Sequence, residues 1–424
     1  MELVRSVIVF YVIVLILITV NNVTTSGSKQ EARLLSYMIP EARDLKRALG
    51  LNEDSYLNFT ELTTKYGYKS EEHTVTTEDG YILTIFKILS KCDDNSSQSY
   101  PILLMHGLID SSDVFIVAGA EFGLGYVLAR NCYDVWAVNH RGNTYSRRHI
   151  SLDPDKDIQF WDYTFDEHGN FDLPASIDYI LQLTGKQKLF YMGHSQGTTN
   201  FFVMSSLKPE YNKKIQLSIH LAPVAWMTHM NSPVPRALAL NSRQVKEILD
   251  AAGLRELLAK HQLTHFLTEI LCHFAPDAVC GMTYTLSTGL QPGSIKPKLI
   301  SVAFGHLLSG TSTKNLLHFA QLIVSKKFKR FDEGLDGNMK RYNTRKPPLY
   351  NVSQITSPVV LMSARNDLLS NLKDVETLTS KLPNLVENYI VPIRKWSHVN
   401  YVYDERAQEY VNPKILEYLK RYNV

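Results

Sequence analysis

Acyl-transfer chemistry needs a nucleophile, a base and a group that orients the base, and this chain offers all three. The nucleophile candidate is Ser195, in Gly193-His194-Ser195-Gln196-Gly197. The pentapeptide follows the apolar run 189–192 (LFYM), and a helix-compatible stretch, TTNFFVMSSL, begins at Thr198. Strand, Gly-x-Ser-x-Gly, helix is the layout of a nucleophile elbow. The glycines are required because a Cβ at 193 or 197 would meet the neighbouring strand or helix. The turn lifts the hydroxyl above the sheet and aims the first N–H groups of the helix at the place where an oxyanion would form.

A serine hydroxyl is a poor nucleophile at neutral pH and needs an imidazole to take its proton, with a carboxylate behind the imidazole. On a parallel α/β sheet these follow in the order serine, carboxylate, histidine. Of the 14 histidines only His398 lies beyond residue 351, in the loop RKWSHVNYVYD, and it is the expected base. Asp367, in SARNDLL directly after the apolar run 358–364, occupies the slot at a strand C-terminus where such sheets carry their active sites. Asp374 and Asp404 compete with it, but both read as exposed positions on or beside a helix. An oxyanion hole needs two N–H groups. Gln196 supplies one, and Leu108 of His106-Gly107-Leu108, after the run 101–105, is the natural second. His106 and His194 flank the site and read as hydrogen-bonded scaffold. His261 and His265 have the i, i+4 spacing of a helical zinc site, with His273 near, but no H-E-x-x-H accompanies them. They read as insertion surface, and neither a metal nor a cofactor is expected.

These residues must be positioned by a sheet. Strands are expected at 73–77 and 81–88, flanking the turn Glu78-Asp79-Gly80, and at 101–105, 133–138, 189–192 and 215–221. Helices are expected at 121–130 and from Asp172-Leu-Pro174, where the carboxylate reads as a cap and Pro174 suits the first turn. The alternation indicates a mostly parallel α/β sheet. It stops at Pro223. Helical patterns at 242–258, 264–272 and 313–327 follow, and the rhythm resumes with a strand at 358–364, a helix near 373–381, a strand at 388–393 and a helix at 406–421. The organisation read from this is a core at 57–222 and 352–424, interrupted by a helical insertion at 223–351 that sits over the catalytic face as a lid.

The leader is distinct. Arg5 precedes an uninterrupted apolar run, 7–20, and polar and small residues follow, so 1–26 reads as a signal peptide, with a retained signal anchor as the alternative. No later run is long enough to span, so the mature chain is expected to carry no transmembrane anchor. Residues 27–56 are a propeptide or an N-terminal arm. Asn58, Asn95 and Asn351 head N-x-[ST] triplets and are candidate glycosylation acceptors, consistent with a secreted or lysosomal protein. The four cysteines are too sparse for a disulfide-built scaffold, and Cys272 and Cys280, near in sequence, are the candidate bridge. Composition is ordinary for a globular protein, 44% hydrophobic and 21% charged, and a net charge of +3 gives no case for a nucleic-acid partner.

With these residues in view, the chain resembles the acid lipase family of gastric and lysosomal lipases and their insect relatives, from about Thr63 to the C-terminus. The resemblance rests on TEDGYIL (77–83), HGL (106–108), YDVWAVNHRGNTYSRRH (133–149), FWDYTFDEHGNFDLPASIDYI (160–180), GHSQGTT (193–199), LAPVA (221–225), PPLYNVS (347–353), NDLLS (366–370) and KLPNL (381–385). It implies an α/β-hydrolase core with a cap, hydrolysis of neutral-lipid esters, and a triad on Ser195, Asp367 and His398. Apolar stretches of the insertion such as LLHFAQLIV (316–324) add the expectation of a cleft that opens against a lipid–water interface. There are departures. Val399-Asn400-Tyr401 stands where the family has Leu-Asp-Phe, and Phe115 where it has Trp. Leu308-Ser309-Gly310-Thr311-Ser312 replaces Pro-Ala-Gly-Thr-Ser, and the family partner of Cys272 has no evident counterpart. The expected function is that of a serine ester hydrolase acting through an acyl-enzyme. Three alternatives stay open: a catalytically silent lipid carrier on the same fold, an esterase for soluble acyl esters, and a peptidase or thioesterase, since the triad serves any acyl transfer.

Overall fold

The computed structural model describes residues 43–92, 100–259 and 263–423 of the chain. The leader, most of 27–56, Asn95 and His261 lie outside the described residues.

Ten strands occur in these residues. In chain order they are β1 (Ser70–Thr76), β2 (Ile82–Ile88), β3 (Ile102–Met105), β4 (Val135–Val138) and β5 (Leu189–His194). They continue with β6 (Ile215–Leu221), β7 (Glu256–Leu257), β8 (Thr311–Ser312), β9 (Val359–Ser363) and β10 (Leu385–Ile390). Eight form one sheet in the order β1-β2-β4-β3-β5-β6-β9-β10, in which β2 alone runs against its neighbours. β7 and β8 form a separate antiparallel ribbon. The central strands read as continuous apolar runs because helices cover both faces. Side-chain alternation divides each strand between two cores. Ile102, Leu104, Phe190 and Met192 join one with the C-terminal helix residues Ile415 and Leu419. Leu103, Met105, Leu189 and Tyr191 join the other with Ile177 and Ile180 of the helix Leu173–Thr184 and Phe201 and Phe202 of the helix Gln196–Leu207. Each such fully buried aliphatic contributes about 1.5–3 kcal/mol. The edge strand β1 carries exposed Glu71 and Glu72, charges that discourage pairing with a further strand.

Several expected elements shift. The last strand is Leu385–Ile390 rather than 388–393, since Pro392 has no N–H to give the ladder and pairing ends at Ile390 opposite Ser363. The expected helix 242–258 stops at Ala251, because Gly253 turns left-handed at φ +66° and the chain continues into β7. Asp172 is no helix cap. It is itself helical, in a wide turn (His168–Asp172) continuous with the next helix, and its carboxylate instead binds Arg141 through the backbone N–H (2.9 Å), Nε (2.8 Å) and a second guanidinium nitrogen (2.6 Å).

Between β6 and β9 the chain leaves the sheet and forms mostly helices, among them Pro233–Leu240, Ser242–Ala251, Leu263–Phe274, Pro297–His306 and Thr313–Ser325. This insertion lies against loops at the carboxyl ends of the strands. Asn366 Nδ2 donates to Gly289 O at 2.5 Å, and Asn231 N and Ser232 N donate to Leu368 O at 2.9 and 3.2 Å. The described end of the N-terminal arm packs on the insertion as well. Buried Lys46 pairs with Glu269 at 2.8 Å, and Ser55 Oγ donates to the same carboxylate at 2.9 Å. Two disulfides are present: Cys272–Cys280, and Cys92–Cys132, a pair that sequence proximity does not suggest.

Candidate functional site

Ser195 sits between β5 and the helix Gln196–Leu207 with φ 53° and ψ −120°. An L-residue held there stores about 1–3 kcal/mol of strain, so its neighbours must over-determine it. Ser195 N donates to Leu221 O at 3.0 Å, while Thr198 donates to Ser195 O through both N (2.9 Å) and Oγ1 (2.7 Å). The flanking glycines behave as the motif requires. A Cβ on Gly193 would lie 2.7 Å from Gly197 C, and one on Gly197 would lie 2.2 Å from Met105 O.

Two loops from distant parts of the chain meet this hydroxyl. His398, in the loop after β10, places Nε2 2.7 Å from Ser195 Oγ. Its Nδ1 is 2.8 Å from Asp367 Oδ2 and 3.0 Å from Oδ1. Asp367 follows β9, and Leu369 N and Ser370 N donate to its Oδ1 at 2.9 and 2.8 Å, a local turn that fixes the carboxylate. His398 and Asp367 are buried and Ser195 is half-buried, so this hydrogen-bonded trio is enclosed at the carboxylate end and accessible at the hydroxyl. The competing aspartates are corrected by the structure. Asp374 and Asp404 are buried, not exposed. Asp374 accepts from His229 N at 2.8 Å, and Asp404 accepts from Asn400 Nδ2 at 2.7 Å and from Arg406.

Gly107 brings the loop after β3 close to the elbow, since a Cβ there would stand 3.2 Å from Ser195 Cβ, a tight contact. Leu108 follows it, and Leu108 N donates to no backbone carbonyl among the described residues. Gln196 is the first residue of its helix, so its N–H has no partner within the helix. Two N–H groups thus flank the serine.

Four buried imidazoles surround the elbow. His106 packs tilted against His140 with ring centroids 4.1 Å apart, and His140 stacks on His168 at 4.2 Å. Burial holds all three below the ordinary imidazole range, His140 at about 4. His194 is pushed down to about 3 by burial and by His398, and its Nε2 is 2.9 Å from His398 O, steadying the loop that carries His398. These groups are neutral scaffold.

The Gln196 side chain is a feature that local sequence does not reveal. Its Nε2 lies 2.9 Å from His168 Nδ1, and its Oε1 accepts from Asn315 Nδ2 at 3.0 Å, a contact spanning 119 residues. Among the departures, Asn400 accepts from Ser397 N at 2.7 Å beside His398 and donates to the buried Asp404, which an aspartate at 400 could not do. Asn58 caps the helix Phe59–Lys65 and Asn351 is exposed. His265 is buried, and no cluster of metal-ligating side chains occurs among the described residues. Nor is any helix among them long and apolar enough to cross a membrane.

Comparison with known proteins gives two family matches, a partial alpha/beta-hydrolase lipase region over residues 59–119 and the alpha/beta hydrolase fold over 100–402. Lipase 1 of Drosophila melanogaster is 38% identical over 87% of this chain and 81% of its own length. Gastric triacylglycerol lipase of Mus musculus is 36% identical over 86% of this chain and 92% of its own. Lysosomal acid lipase/cholesteryl ester hydrolase of Homo sapiens is 33% identical, over 88% and 93%.

Proposed function

The chain belongs to the α/β-hydrolase lipases of the gastric and lysosomal acid lipase family, and from that membership we propose that it hydrolyses carboxylic esters of neutral lipids through Ser195, His398 and Asp367. The observation that carries the reading is the unbroken hydrogen-bond chain from Ser195 Oγ through His398 to Asp367. Ser195 Oγ attacks the ester carbonyl as His398 Nε2 takes its proton. The tetrahedral oxyanion is held by Leu108 N–H and Gln196 N–H. His398 returns the proton to the leaving alcohol, the C–O bond breaks and an acyl-enzyme remains. Water then repeats the sequence with His398 as base and releases the fatty acid. Asp367 keeps the Nδ1 proton in place and stabilises the imidazolium without itself being protonated.

Triacylglycerols and sterol esters are the substrates proposed, on the strength of the relatives' names and of the insertion's surface. Leu238, Leu240, Ile248, Leu267, Leu271 and Phe274 all expose apolar side chains there, Phe274 and Leu240 by about two-thirds. Such a surface suits a lipid–water interface. The leader 1–26 would route the protein to secretion or the lysosome, and the insertion at 223–351 would act as its cap.

The test is a panel of glycerol and sterol esters of graded acyl length, assayed across each ester's solubility limit. Activity rising steeply once substrate forms a separate phase is expected, with Ser195→Ala lowering turnover about 10⁴–10⁶-fold in a folded protein. A flat response across the limit would point to a soluble-ester esterase. Lipid uptake unaffected by Ser195→Ala, without turnover in the wild type, would point to a carrier.

A further inference from the structure

One short stretch of the insertion touches both segments assigned to the oxyanion, the loop after β3 and the helix start at Gln196. Ser309 N donates to Ile109 O at 2.9 Å, one residue past Leu108, and Thr144 N donates to Ser309 O at 2.7 Å. Ile109 has φ +56°, a conformation that costs a β-branched residue strain, so this loop needs anchors outside itself. On the other side, Asn315 Nδ2 donates to Gln196 Oε1 (3.0 Å) and to Thr311 Oγ1 (3.1 Å). Asn315 is itself held, since its N–H donates to Ser312 Oγ at 3.0 Å and Ser312 Oγ donates to Tyr163 O at 2.6 Å. Gln196, Asn315 and His168 are all buried, so water cannot replace a lost partner.

We infer that Asn315 is a positioning residue. By pinning the Gln196 side chain against His168, it fixes the direction of the Gln196 N–H at the oxyanion and makes the stretch 309–315 a fixed wall of the site. The inference rests on the reading of Ser195 as nucleophile and Gln196 N–H as oxyanion donor. The donor must sit within about 2.7–3.1 Å of the developing charge, and a misplacement of about 1 Å can cost about 10²-fold in rate. A neutral ground-state carbonyl makes much less of the same N–H, so the loss falls on kcat rather than KM.

The experiment measures kcat and KM of the full chain on a soluble short-chain ester for Asn315→Ala, the near-isosteric Asn315→Leu, Gln196→Ala and the double variant. Each single variant is expected to lower kcat about 10–100-fold with KM within about twofold, and the double to fall no further than the worse single, because both remove one link. Losses that multiply, a change confined to KM, or wild-type kcat in a folded Asn315 variant would overturn the inference. If neither Asn315 variant folds, Gln196→Ala decides alone: a fall in kcat at constant KM supports the inference and an unchanged kcat overturns it. Ser195→Ala in parallel separates the two levels, since activity retained there removes the nucleophile assignment itself.

Discussion

At the scale of single residues, Asp367 has two tasks that its two oxygens divide. Oδ1 accepts the loop N–H groups of Leu369 and Ser370, and Oδ2 makes the shorter contact to His398 Nδ1. Asp367→Asn separates them. The amide oxygen can still hold the loop, but its NH₂ then faces Nδ1, which must become an acceptor. The ring proton moves to Nε2, where it points at the Ser195 hydroxyl and blocks proton transfer. Turnover on a soluble ester should fall about 10⁴-fold while the melting temperature stays near that of the wild type. A loss below about tenfold would mean that the carboxylate is not orienting His398. This pairing is legible in the sequence, because order along the chain and position at strand ends leave one histidine and one well-placed aspartate. Asp374 and Asp404 misled because an acidic residue beside a helix looks solvated, and only the fold brings His229 and Asn400 against them.

At the scale of elements, the elbow is a contact between backbones. A Cβ on Gly197 would stand 2.2 Å from Met105 O and 2.9 Å from His106 O, both on the neighbouring β3 backbone and loop, which cannot give way as a side-chain tip can. Gly197→Ala should therefore cost about 3 kcal/mol or more. Gly253, at φ +66° with nothing within 4 Å, provides the contrast. There Ala meets only backbone strain, worth about 1 kcal/mol. Urea unfolding of the two variants should rank them in that order, and equal losses would mean that the elbow is less tightly packed than these distances imply. The sheet itself was readable because buried parallel strands are short apolar runs, and the Gly-x-Ser-x-Gly turn because its glycines are forced. Boundaries set by long-range partners were not. Asp172 follows the pattern of a helix cap, yet Arg141 takes its carboxylate, and Gln196 gives no local sign that Asn315 will hold it.

For the molecule as a whole, the pattern of buried imidazoles sets the direction of pH dependence. His220 lies among Phe201, Phe202 and Tyr191 with neither ring nitrogen partnered, and burial pushes it down to about 3. His194 stands at about 3 and His140 at about 4, while burial also carries His106, His168 and His318 well below their ordinary value. In the unfolded chain each titrates near about 6.5. As pH falls from there toward the folded values, only the unfolded state takes up these protons, so the stability present at neutral pH is progressively lost, by about 1.4 kcal/mol per pH unit for each proton. Two carboxylates oppose this. Burial raises Asp172 to about 6 and Glu256 to about 7, so they take up protons in the fold before the unfolded chain does and add stability as pH falls. Six imidazoles outweigh two carboxylates, and urea unfolding at pH 7, 6 and 5 should show falling stability. His220→Leu removes one titrating group without touching the triad. Whatever its packing cost, its stability should decline less steeply with acid than the wild type's, by up to that one-proton slope. Parallel curves would place the His220 ring in contact with water and would contradict the dry packing against Phe201 and Phe202.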